Sequence, residues 1–130
     1  MFKSAFFAAV MLVATGSANA AAVSMDDKVA LQAAMFSYID NQSIDGVIPH
    51  VRLDSGEIVD LVPTKAHPMV LKFGDDFVLC TDFRDPEGKF VNVDFYLKRR
   101  EGTFAVFQTE INNRGPLENL MKKGLVEMAE

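Results

Sequence analysis

The chain reads as a single α+β domain, and three observations carry that reading. Residues 25–41 repeat apolar positions at helical steps, whereas residues 47–111 break into short Val-, Ile-, Leu- and Phe-rich runs divided by turn residues. The 130 residues are too few for two domains, and 49% hydrophobic against 24% charged residues is ordinary globular composition.

The first twenty residues have the layout of a secretory signal peptide. Lys3 supplies a positive start, Ala5 to Ala14 is apolar throughout, and Ala18-Asn19-Ala20 is a small-x-small cleavage pattern. The apolar run is too short to span a bilayer, which needs about 20 residues. The chain is therefore expected to be periplasmic or secreted after cleavage near Ala20, leaving residues 21–130 as the domain. Lys3 is the one charged residue lost, so 12 bases face 18 acids and the net charge is −6. That charge argues against nucleic acid and anionic membranes as partners, and no stretch of residues 21–130 is apolar enough for stable membrane insertion.

Ser24 followed by Asp27 resembles a capping box, and Asp26 and Asp27 suit the positive end of a helix. Leu31, Ala34, Met35, Tyr38 and Ile39 then form one apolar face, which Val29, Ala33 and Phe36 widen. The helix is expected to stop in the Asn41–Gly46 stretch. Strands are expected over 47–53, 57–62, 69–73, 77–84, 90–99 and 103–111, with residues 64–67 a bulge or crossover beside Pro63 and Pro68. A short helix over 117–123 follows Gly115-Pro116. The predicted architecture is a long N-terminal helix packed on a curved antiparallel meander of about five to six strands, closed by a short C-terminal helix. In the order of its elements this resembles the cystatin/NTF2-like arrangement, which hosts enzymes and binding modules alike.

Pairing Arg84 with Lys89 across the Asp85-Pro86-Glu87-Gly88 turn places Asp82 opposite Val91 and Cys80 opposite Val93. Pairing Arg100 with Thr103 places Leu97 opposite Val106 and Phe95 opposite Gln108. Both sheet faces then read as largely apolar, with one long helix to cover them. Either one face serves an oligomer or a ligand, or the C-terminal helix and the 63–68 segment cover it. The residues expected to line that binding face are Phe77, Leu79, Phe90, Tyr96 and Phe107, with Asp94 setting orientation. Their occupant would be a second copy (a homodimer), an envelope protein or a small apolar ligand.

Chemistry-bearing residues are sparse. Cys80, the single cysteine, sits among apolar neighbours and reads as a packed thiol, an intermolecular disulfide or a reactive group, in that order. His50 and His67 lack metal-ligand spacing, so no metal site and no cofactor is expected. Asp82 and Asp94 are the polar residues most out of place in their strands. They are expected on opposite faces, each paired with Arg84 or Lys98 or lying at a wet margin. An alternative function is a small enzyme using Asp82 or Asp94 as a general base. Lys98-Arg99-Arg100 reads as a solvated hairpin tip. No phosphate-binding loop, nucleophile-elbow or Cys-x-x-Cys motif occurs, and an enzyme is the less expected reading.

Overall fold

The computed structural model describes residues 22–129. The leader expected over residues 1–20 lies outside them. The described residues form an α+β domain of two helices and seven strands in one antiparallel sheet.

The first helix, α1, spans Met25–Gln42, and the Ser24 hydroxyl caps it by accepting from the Asp27 amide at 3.1 Å. The Asp27 carboxylate does not complete a capping box. It takes Arg99 Nη2 at 2.9 Å and so ties the start of the helix to the sheet. Ser43 ends the helix by donating its hydroxyl to the Ile39 carbonyl. Leu31, Met35 and Ile39 are its buried residues. Val29, Ala33 and Phe36, expected to widen that face, are exposed. They lie on a flank bordered by only the end of β2 at Ala66 and by Pro68, so the buried stripe is narrower than the apolar one.

The strands are β1 Ile48–Val51, β2 Ile58–Ala66, β3 Leu71–Phe73, β4 Asp76–Arg84, β5 Phe90–Arg100, β6 Thr103–Ile111 and β7 Val126–Met128. Between β6 and β7 lies α2, Gly115–Lys122, with Pro in its first turn. Strand β4 is the spine. β5 and then β6 pair along one side, while β2 and β3 share the other, β2 beside its C-terminal half and β3 beside its N-terminal half. β1 adds to β2 and β7 to β3. The irregularity expected near 64–67 is a register shift between Pro63 and Lys65 inside β2.

The β4–β5 register differs from the expected one by a residue: Arg84 pairs with Phe90, not Lys89. The cause is Asp85. Its carboxylate accepts from the Glu87 and Lys89 amides, and its own amide donates to the Lys89 carbonyl, so Lys89 belongs to the loop. Gly88, at φ 80°, makes the return. A slip of one residue reverses every pairing of faces. Phe77, Leu79, Thr81 and Phe83 therefore share the α1 side with Val91, Val93, Phe95 and Leu97, while Val78, Cys80 and Asp82 share the other with Asn92, Asp94 and Tyr96. The α1 side is apolar except for Thr81, whose hydroxyl donates to Met35 Sδ at 3.3 Å. The outer side is mixed, not apolar as expected.

The β5–β6 hairpin does pair Arg100 with Thr103 and Leu97 with Val106, through Glu101 and Gly102 at positive φ. A bulge between Tyr96 and Leu97 then sets Gln108 opposite Tyr96 instead of Phe95. Phe107, left over by the bulge, lies on the outer face with its ring 6.3 Å from that of Tyr96.

Part of the outer face carries its own core: Leu71, Val78, Cys80, Tyr96, Leu117 and Val126, with α2 laid across it. Gly124, at φ 70°, turns the chain out of α2 into β7.

These two faces predict unequal costs. Leu31→Ala, which removes a fully buried side chain, should destabilise by about 2–5 kcal/mol. Val29→Ala on the exposed flank should change stability by no more than about 0.5 kcal/mol. Urea unfolding of the two variants checks the assignment, and comparable losses would refute it.

Candidate functional site

The register places on one face the polar residues that the sequence separates. Asp82 and Asp94, expected on opposite faces, both point outward with Cys80. None of the expected partners is used: Asp82 binds His67 and Asp94 binds Arg114.

His67 follows β2 and is held there by its backbone. Its amide donates to the Cys80 carbonyl at 2.9 Å, and its carbonyl accepts from the Gln32 side chain of α1 at 3.1 Å. Its ring Nε2 lies 2.9 Å from Asp82 Oδ2, which leaves Nδ1 free of that contact. The hydrogen bond from His67 holds the Asp82 carboxyl below the usual carboxylate range.

Asp94 is fully buried at the centre of the outer face. Its Oδ1 accepts from Cys80 Sγ at 3.0 Å and from Arg114 Nη2 at 2.9 Å. Arg114 stands at the N-terminal boundary of α2, so this ion pair fastens the helix to the sheet. Burial pulls the guanidinium down, and the hydrogen bond and charge of Asp94 outweigh it, leaving Arg114 above its ordinary value. Burial, aided by the bond to Asp94, pushes the Cys80 thiol up to about 12. The thiol is therefore a neutral donor at physiological pH, not a nucleophile. It is buried in the cluster beneath α2. Asp94 Oδ2 and Arg114 Nε are buried without a hydrogen-bond partner among the described protein atoms. Unmatched buried groups of this kind are costly and uncommon, about 1–3 kcal/mol each.

Beside this network, under α2, lies a cavity of about 210 Å3. His67, Cys80 and Arg114 form its polar side, and Met69, Met121 and Met128 are among its apolar walls. Among the described residues no three His, Cys, Asp or Glu side chains converge as for a metal site of those donors, and no helix is long and apolar enough to cross a membrane.

The six residues expected to share a binding face are divided. Phe77 and Leu79 belong to the core under α1, an outcome of the register set by Asp85. Asp94, Tyr96, Phe90 and Phe107 lie on the outer face, the first two buried and the last two exposed. Phe90 stacks under the Arg84 guanidinium, 4.1 Å from ring centroid to carbon. At the hairpin tip, Lys98 approaches Asp76 at 3.9 Å and Arg99 serves Asp27. The sequence reading missed Arg114 and the three methionines. They come from separate elements, and only the placement of α2 brings them together.

The chain matches no protein-family profile, no characterised protein and no solved structure. The outer-face network and its cavity are therefore read on their own chemistry.

Two outcomes test that chemistry. Cys80 should resist iodoacetamide at about pH 8 in the folded protein and react readily in urea, because a thiol this far raised is almost wholly protonated. Equal rates in both states would refute the assignment. Asp82 has a folded-state pKa below its unfolded one, so its contribution is present at neutral pH and fades as pH falls through the folded value. The stability gap between wild type and Asp82→Asn should therefore shrink as the pH is lowered through the acid range, read as urea midpoints. The gap should be small throughout, since the pair is partly exposed.

Proposed function

We propose that this is a small exported binding protein that holds a small ligand in the cleft between the outer sheet face and α2. One observation carries the reading: a cavity of about 210 Å3, apolar on one side and faced by His67, Cys80 and Arg114 on the other. Apolar walls with a few convergent polar groups are the usual make-up of a ligand site. The unmatched Asp94 Oδ2 and Arg114 Nε lie in the same network and support it. Export rests on the leader-like residues 1–20.

The enzyme alternative is less well supported. A general base needs an enclosed carboxylate held above its ordinary range. Asp82 is shifted the other way by His67, and Asp94 is committed to Arg114 and Cys80.

A second reading, self-association or docking of an envelope protein, is favoured by the end of the outer face that α2 leaves bare. There Ile58 and Val62 on β2 and Phe90 on β5 are exposed on the two strands that flank the end of β4.

Native mass spectrometry of the protein secreted from its full-length chain separates these readings. The ligand-binding reading expects an added small mass that Met121→Trp, which fills the cleft, removes. A bare monomer would overturn it. A bare dimer that Phe90→Asp dissolves would establish the second reading in its place.

A further inference from the structure

The donors around the cleft have a chemical character of their own. Three of the five described methionines, Met69, Met121 and Met128, line this one cavity together with His67. They arrive from the β2–β3 connection, α2 and β7, so the convergence is tertiary and not a local repeat. Each is between 41% and 57% exposed, unlike the fully buried Met35, so these side chains border the opening instead of filling a core. A methionine side chain is unbranched and mobile, which lets several sulfurs close on one point.

The charge of the surroundings selects the sign of the ligand. Glu118 lines the cavity, and Asp82 and Asp94 stand behind His67 and Cys80. Arg114 is the one guanidinium among them, and Asp94 already takes it. With the Asp94–Arg114 pair cancelled, the carboxylates of Glu118 and Asp82 remain, so a cation is favoured over an anion. Hard cations and zinc want several carboxylate, imidazole or thiolate donors, and no three of these converge. Thioether sulfur with imidazole suits a soft, monovalent ion.

We propose that the cleft under α2 is a site for monovalent copper, with the sulfurs of Met69, Met121 and Met128 and Nδ1 of His67 as its ligands. The inference rests on the ligand-binding reading above and names the ligand. Asp82 acts as a positioning residue: by holding Nε2 it turns the ring so that Nδ1 is the nitrogen left for the metal. Cys80 is not a ligand, because its proton is engaged with Asp94. The copper enters and leaves in the same oxidation state, so no electron is transferred.

The test is competition for Cu(I) against bicinchoninate under nitrogen with ascorbate present, using the intact secreted protein. One Cu(I) per chain is expected. Met121→Leu and Met128→Leu should each weaken binding by at least the about tenfold that loss of an outer-shell partner costs, and Asp82→Asn by about 10- to 100-fold. The triple Leu variant should bind none, while Cys80→Ser should bind as wild type. Leu replaces Met at nearly constant volume, so the metal-free variants should melt with wild type. Added Cu(I) should raise the melting temperature of wild type and of Cys80→Ser, and leave that of the triple Leu variant unchanged. Undiminished binding by the triple Leu variant, or loss of binding in Cys80→Ser, overturns the ligand assignment. Absence of Cu(I) binding alongside an organic mass that Met121→Trp removes overturns this inference and leaves the ligand-binding reading standing. Absence of both takes down the two together.

Discussion

The arrangement of this domain depends on the carboxylate of Asp85. By capturing the Glu87 and Lys89 amides it lengthens the β4–β5 turn by one residue, and that residue decides which side chains share a face. Arg52 braces the same carboxylate from the start of the β1–β2 loop at 3.2 Å, so the turn is fixed from two directions. With the register so set, the large apolar side chains of β4 and β5 between Phe77 and Leu97 that point inward share one core cluster with Leu31, Met35 and Ile39 of α1. The mixed set, in which Asp82, Asn92 and Asp94 stand among Val78, Cys80 and Tyr96, is left for the outer face. The asymmetry of the sheet is thus a consequence of one turn rather than of strand composition.

The second layer follows from that asymmetry. The N-terminal half of β4 presents Val78 and Cys80 outward, and α2 brings Leu117 onto them while Arg114 meets Asp94. An ion pair with one partner fully buried is weak evidence for stability, because desolvation offsets much of the attraction. Its firmer role is to fix where the helix sits, since any other placement strands a charge in the sheet. Tyr96 joins the two regions, packing beside Phe73 at one edge and Phe107 at the other.

What could be read from the sequence divides along physical lines. The cap at Ser24, the helical stripe of Leu31, Met35 and Ile39, and the Glu101-Gly102 hairpin are all local, and the residues that specify them are neighbours in the chain. The β4–β5 register was not legible from turn composition, because it depends on which amides one side chain captures. Val126–Met128 is too short to show a period, so β7 was missed. The site was half legible. Cys80, Asp82, Asp94 and His67 stand out as polar or reactive residues in apolar surroundings, but the reversed register kept them apart. Arg114 and the methionines carry no local signal at all, because their proximity is a product of α2 and β7 folding back.

The three-residue pairing of β3 with β7 gives the molecule a hierarchy in time. The sheet from β4 to β6 is held by long ladders over a continuous core and exchanges its amide protons only when the whole domain opens. The flap formed by α2 and β7 rests on a small cluster, one ion pair and a brief ladder, with its last amide, that of Ala129, donating to Val70. Such a unit opens at a fraction of the global cost. The α2–β7 unit is therefore expected to open locally while the β4–β6 sheet stays paired.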